Sequence, residues 1–224
     1  ALPIYMTKQQ ILDAYAFRHA CKAFDSEKKI SDDEFELILE TGRLSPSSFG
    51  FEPWQFLVIQ NSVLREKLLP LVCGQQQVPT ASHLLITLSR RGDSLKPSSD
   101  YLTRFMQDVQ KLPAEIVKMK GDFYALFHRE LFQLADDEHK IADWAAKQTY
   151  LPMANMMTTA ALLGIDSCPM EGFKQQDVEN LLAQEIDLDL TTFGVAHITA
   201  FGYRKAEPAR AKTRRAAADV VQWY

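Results

Sequence analysis

Between Lys8 and Phe24 the apolar residues Ile11, Leu12, Tyr15 and Ala16 recur three and four apart. That period predicts a helix ending within Arg18-His19-Ala20-Cys21-Lys22-Ala23-Phe24-Asp25. Arg18 and Lys22, four apart, would share one helix face, either as an anion site or as an ordinary basic helix C-terminus. Ser31-Asp32-Asp33-Glu34 is a capping box, and Phe35, Ile38, Leu39 and Gly42 carry the following helix up to Ser45. Phe56 to Ile59 reads as a buried strand, Val63 to Val72 as a short helix stopped by Gly74, and Leu84 to Leu88 as a second strand.

Residues 97–134 are helical in pattern but rich in aromatics (Phe105, Phe123, Tyr124, Phe127, Phe132) and broken by Pro113 and Gly121, which suggests an insertion between strands. From Glu138 to Leu163 apolar residues occupy most sides of a helix, as expected for a buried element or a subunit interface, with a kink at Pro152. Ile165 to Phe173 reads as a tight connection into a helix over Gln175 to Gln184, and the last strand runs from about Phe193 to Phe201. The tail Val220-Val221-Gln222-Trp223-Tyr224 is too apolar to be left in water and is expected to pack on a partner subunit.

Two loops invite a ligand. Ser45-Pro46-Ser47-Ser48-Phe49-Gly50-Phe51-Glu52-Pro53-Trp54 combines small hydroxyls, prolines and a glycine with flat apolar side chains, suited to cradle a ring or simply to turn the chain. Gly74-Gln75-Gln76-Gln77-Val78-Pro79 offers three neutral amides, able to read mixed donors and acceptors or to lie in solvent. From Arg204 to Arg215 six Lys/Arg face one Glu, against a chain of net charge -4 and pI near 5.8. The overall acidity disfavours nucleic acid as partner, and a small molecule fits better.

The three cysteines, Cys21, Cys73 and Cys168, form no disulfide framework and no CxxC pair, as in a reducing cytoplasm. No apolar run approaches the length of a membrane span, and Ala1 to Tyr5 lacks the blocks of a signal peptide. No two of the nine glycines stand two apart, so the dinucleotide fingerprint is missing. The histidines fall into no compact metal-ligand pattern, and no G-x-S-x-G elbow occurs. Cations at both ends, amide and hydroxyl loops and aromatic walls together match a phosphate joined to a flat heteroaromatic ring.

The chain resembles the FMN-dependent nitroreductase family over nearly its whole length. The likeness rests on Arg18 to Phe24, Ser45-Pro46-Ser47-Ser48 with Pro53-Trp54, Ala81-Ser82-His83, Pro169-Met170-Glu171-Gly172-Phe173 and Lys212-Thr213-Arg214. It implies an α+β fold, a small mixed and mainly antiparallel sheet surrounded by helices, over 1–224 as a single domain in an intertwined homodimer. The helical insertion would span about 97–134 and a dimer-wrapping tail about 205–224. Arg18, Lys212 and Arg214 would bind the FMN phosphate, with His19 and Ala20 beside it and Lys22 at the pyrimidine edge of the ring. Pro46, Ser47, Ser48 and Gly50 would reach the flavin across the dimer interface. Gln75 or Gln77 would contact the ring, Pro169 and Met170 would line it, and the backbone of Glu171 and Gly172 would face N5 and O4. Ala20 and Gly50 depart from the family's frequent Ser and Asn.

The implied activity is ping-pong transfer of hydride from NAD(P)H through FMN to nitroaromatics, quinones or related acceptors, with no side chain as general base and Lys22 tuning the ring. A flavin carrier or redox sensor without turnover is the alternative. Phe49, Phe123, Tyr124 and Phe127 are expected to form the substrate wall, or else part of the core.

Overall fold

The computed structural model describes residues 6–134 and 137–224, so Ala1 to Tyr5 lie outside the described residues. Thr7 and Gln10 close a capping box at the start of α1 (Lys8–Phe17). The expected box of Ser31 and Glu34 opens α2 (Asp32–Arg43). Next come β1 (Trp54–Ile59), α3 (Ser62–Leu68), the short α4 (Gln77–Thr80) and β2 (His83–Arg90). α5 (Asp100–Arg104) and α6 (Ala114–Leu126) are each continued by a wide π turn. Pro113 stands at the N-cap of α6, and Gly121 lies inside that helix without ending it. α7 (Glu138–Leu162) runs through Pro152 as one element and is followed by β3 (Asp166–Met170), α8 (Gln175–Ile186) and β4 (Phe193–Gly202).

The four strands form one sheet in the order β1-β2-β4-β3 with every ladder antiparallel. Alternation along the strands sends Leu84, Ile86, Leu88, Cys168, Met170, Ile198 and Ala200 to one face, against Leu64 and Leu68 of α3 and Val178 and Leu182 of α8. Leu85 and Phe201 point to the other face, against Phe35 and Ile38 of α2 and Met156 and Ala160 of α7. Gly42 allows α2 to approach α7 closely, since a Cβ there would stand 2.7 Å from Met156 Sδ. A third cluster, around Phe51, Leu102, Met106, Tyr124 and Trp144, fills the region of α5 and α6.

Three expectations are corrected. The first helix ends at Phe17 rather than near Phe24, because Arg18 turns extended (φ -63°, ψ 122°) and the next residues bond other strands. Ala20 pairs with Ser167 and Phe24 with Arg204, and Gly202 makes room for the Phe24 ring, which would stand 2.8 Å from a Cβ at that position. Residues 166–170, read as a connection, are an edge strand. An edge tolerates Pro169, which cannot donate to a ladder. β1 is not a buried strand but the opposite edge, with only Ile59 fully buried. Among the described residues no helix is long and apolar enough to cross a membrane. The tail lies open on this single chain, with Trp223 93% exposed.

His197 on β4 is fully buried under α7, its Nε2–H donating to the Thr149 carbonyl at 3.3 Å. Burial pushes its pKa down to about 4, against smaller opposing effects of Thr149 and Glu171. The folded chain therefore keeps His197 neutral while the unfolded chain takes a proton near pH 6.5. The stability is complete above pH 6.5 and falls as pH drops toward 4, by about 1.4 kcal/mol per unit within that window. Urea midpoints of wild type and His197→Asn at pH 7 and pH 5 check this: the variant's pH slope should be shallower, and equal slopes would contradict it.

Candidate functional site

Where α1 stops, the chain crosses the end of β3 and lies beside the segment leaving β4. Cys21 N donates to the Ser167 carbonyl (3.1 Å), Asp25 N to the Tyr203 carbonyl (2.8 Å) and Lys205 N to the Ala23 carbonyl (3.0 Å). Residues 16–23 and 204–214, almost two hundred positions apart, thus become opposite walls of a cleft of about 950 Å³. Arg18, His19, Ala20, Lys22, Lys212 and Arg214 all line it. Arg18 and Lys22 both line the cleft, although α1 has ended at Phe17 and no helix turn joins them.

At the mouth of α1 the Lys212 ammonium donates to the carbonyls of Tyr15 and Arg18, fixing a cation at a helix C-terminus. Its pKa is lowered, first by desolvation and then by the neighbouring charges of Arg18 and Arg214. Three cations that repel one another inside a cleft are the electrostatic outline of an anion site. The Arg214 guanidinium donates to its neighbour's Thr213 carbonyl at 2.6 Å. Arg204, also in the wall, is engaged otherwise. Its guanidinium clasps Asp166 (2.8 to 3.1 Å), reaches Glu207 (2.9 Å) and lies 4.3 Å over the Phe17 ring.

His19, Cys21 and Asp166 bring three potential metal-ligand atoms within 4.8 Å of one another. The set is poorly suited to a cation. Both Asp166 oxygens already face Arg204, and burial together with Asp166 holds the Cys21 thiol near pKa 11, far from the thiolate a metal needs. His19 Nδ1 turns toward Asp166 at 3.5 Å.

Further along, Lys22 Nζ lies 4.0 Å from Cys168 Sγ, and Gln77 Nε2 meets the same sulfur at 3.6 Å. Gln75 Nε2 donates to the Val72 and Gly172 carbonyls, each at 3.0 Å, so its amide hydrogens serve the backbone rather than an open face. Tyr150 Oη donates to the Glu171 carboxylate. The β3 alternation puts the Met170 side chain in the core on the same face as Cys168, toward α8, while Pro169 faces the other way.

The Ser45 to Phe51 loop forms a separate constellation, and no residue lining the cleft comes from it. Ser47 Oγ accepts from Glu52 N at 2.9 Å, and Ser48 N donates to Gln148 Oε1 at 2.8 Å. Pro46 precedes them in the half-exposed loop. Phe49 (φ 58°) and Gly50 (φ 65°) are both left-handed, a strained choice for Phe49 that its surroundings enforce. Gln110 Nε2 bonds the Phe49 and Gly50 carbonyls (3.1 and 2.8 Å), Lys120 bonds Gln110 Oε1 (2.6 Å), and Tyr101 Oη bonds the Phe51 carbonyl (2.9 Å). The Phe49 ring packs 5.1 Å from Phe127 and 5.9 Å from the half-exposed Phe123. Tyr124 departs from the expected wall: it is 1% exposed and donates to the Leu95 carbonyl at 2.7 Å, a core position.

A family model described as "Nitroreductase family" matches residues 15–203. The chain belongs to the nitroreductase family. It is 46% identical over 217 residues to the "Putative NAD(P)H nitroreductase YfkO" of Bacillus subtilis (strain 168), covering 96% of this chain and 98% of that protein. Among solved structures, a nitroreductase-like protein of Streptococcus mutans superposes with a TM-score of 0.78 at 19% identity, covering 97% of this chain and all of the other. A "putative nitroreductase in complex with FMN" from Exiguobacterium sibiricum 255-15 gives 0.72 at 20% identity, with 99% of each chain covered. These two likenesses concern the nitroreductase fold.

The sequence did not single out Asp166, Cys168, Tyr150 or Gln148. A buried acid beside an Arg partner 38 positions away has no local signature, and Tyr150 was absorbed into an apolar helix. Of the three thiols, Cys21 and Cys168 are buried with raised pKa, whereas Cys73 is exposed. Ellman's reagent at pH 8 should titrate one thiol in the native protein and three after denaturation, since the thiolate is the nucleophile. Three fast thiols in the native state would contradict the burial of the cleft wall.

Proposed function

We propose that this chain is an NAD(P)H-dependent nitroreductase that holds FMN in the basic cleft and reduces nitroaromatics, quinones or related acceptors in two half-reactions at one site. The observation that carries the reading is the mutual placement of Arg18, Lys212 and Arg214 at one part of the cleft and Lys22 beside the 168–172 segment at another. A phosphate bears close to two negative charges at neutral pH and relieves the repulsion among the three cations. The cleft volume of about 950 Å³ suits a cofactor-sized ligand. The printed names of the Bacillus relative and of the FMN complex point the same way.

When bound, FMN would supply the redox chemistry, accepting hydride from NAD(P)H and passing electrons to the acceptor. The chain's own residues position and polarise. Lys22 offers positive charge to the pyrimidine edge, and the Glu171 and Gly172 backbone borders N5 and O4. Gln77, buried against Cys168, is the remaining amide for a ring contact. His19 serves the cleft indirectly, by its contact with Asp166. Phe49, Phe123 and Phe127 form the acceptor-facing wall.

Pro46, Ser47, Ser48 and Gly50 lie outside the cleft of their own chain, so the reading assigns them to the cleft of a second copy. Exposed Ile11, Leu12 and Tyr15 of α1, Leu151 of α7 and the Val220 to Tyr224 tail supply an apolar surface for that homodimer.

Purified protein should be yellow, release FMN and oxidise NADPH in the presence of menadione. Tight flavin without turnover would favour a carrier, and protein unable to take up FMN would sink the assignment. Charge-assisted hydrogen bonds contribute roughly 1.5–3 kcal/mol each, so Arg214→Ala should weaken FMN about 10- to 100-fold and riboflavin far less. Arg215→Ala should do little. Fluorescence titration of apoprotein checks both, and equal losses for the two flavins or the two arginines would overturn the phosphate assignment.

A further inference from the structure

We propose that Gln75 is a positioning residue: it fixes the backbone of the turn after β3 so that the Gly172 N–H faces the cleft ligand. The claim rests on the FMN reading above for the identity of that ligand, but its structural part stands on contacts within the chain. Gln75 follows Gly74 (φ 65°), which turns the backbone out of the α3 region, and its carboxamide bridges the nearby Val72 and Gly172, which lies 97 residues further on. A Cβ at Gly172 would sit 3.5 Å from Gln75 Nε2, an ordinary contact, so the bond is close without depending on glycine itself.

A peptide unit is planar and trans, so fixing its carbonyl fixes its N–H in the opposite direction. By holding the Gly172 carbonyl, Gln75 orients the Phe173 N–H, which donates to the Glu171 carbonyl at 2.9 Å. That bond in turn fixes the Glu171–Gly172 unit and aims the Gly172 N–H away from the interior of the turn. Lys174 N anchors the far side on the Leu71 carbonyl at 2.8 Å, and Tyr150 holds the Glu171 carboxylate from α7. Gln75 therefore acts on the ring through two peptide planes and need not touch it.

The test uses Gln75→Leu, which removes the donor at similar size, with Gln75→Glu as a second variant; far-UV circular dichroism verifies folding of each. Hydrogen exchange of the Phe173 and Lys174 amides in flavin-free protein should accelerate about tenfold in either variant, the scale of one or two net hydrogen bonds. Unchanged exchange overturns the clamp. In loaded protein, affinity for FMN and for riboflavin should fall equally, about 3- to 10-fold, and the flavin midpoint potential should move, because the defect lies at the ring and not at the phosphate. Faster exchange with unchanged affinity and potential makes Gln75 merely structural and overturns the positioning role. Wild-type protein that takes up no flavin sinks the reading of the preceding subsection, while the exchange result still decides whether the clamp exists.

Discussion

Asp166 and Arg204 stand where β3 begins and β4 has ended, and the ion pair between them ties the start of β3, the exit of β4 and the end of α1 into one wall of the cleft. Asp166 also accepts from the Arg204 backbone N–H at 2.9 Å, so one carboxylate fixes both the side chain and the path of the strand's exit. The other face of the guanidinium covers Phe17, and an Arg204 nitrogen lies 3.4 Å from the Phe17 carbonyl, which brings the end of α1 to the same point. Loss of one partner would leave a charge in a nearly water-free place, at a cost of about 3–5 kcal/mol, more than an exposed pair contributes. The pair also sets Arg204 apart from the other cleft cations: it is neutralised from within, while among the described residues Arg18, Lys212 and Arg214 show no acidic partner.

Much of the fold was legible because local rules and tertiary structure agree. The capping box before α2, the apolar run of β2 and the length of α7 all follow from local sequence alone. The failures have one cause, which is that local pattern carries no information about what lies beside a segment. The helical period of Ile11, Leu12, Tyr15 and Ala16 continues formally past Arg18, but strand partners from 167 and 204 claim those residues. β3 was hidden by Pro169 and a polar start, both acceptable at a sheet edge.

The site divides along the same line. Arg18, Lys22, Lys212 and Arg214, conspicuous in the sequence as cations, all line one cleft. Burial could not be read at single-residue precision. Tyr124 differs from its neighbour Phe123 only in facing inward, Met170 from Pro169 only in strand parity, and Gln75 from Gln77 only in which backbone carbonyls stand in reach. Partners from distant segments decide all three: Leu95 for Tyr124, β4 for Met170 and Gly172 for Gln75.

The carbonyls of Phe49, Gly50 and Phe51 accept hydrogen bonds from Gln110 and Tyr101, side chains that belong to the helical region after β2. That region therefore does more than cover the core: it dictates the left-handed backbone of the Ser45 loop. The two segments form a single heritable module. Exchange of α5 and α6 between relatives would keep this packing only when the loop from Ser45 to Phe51 travels with it.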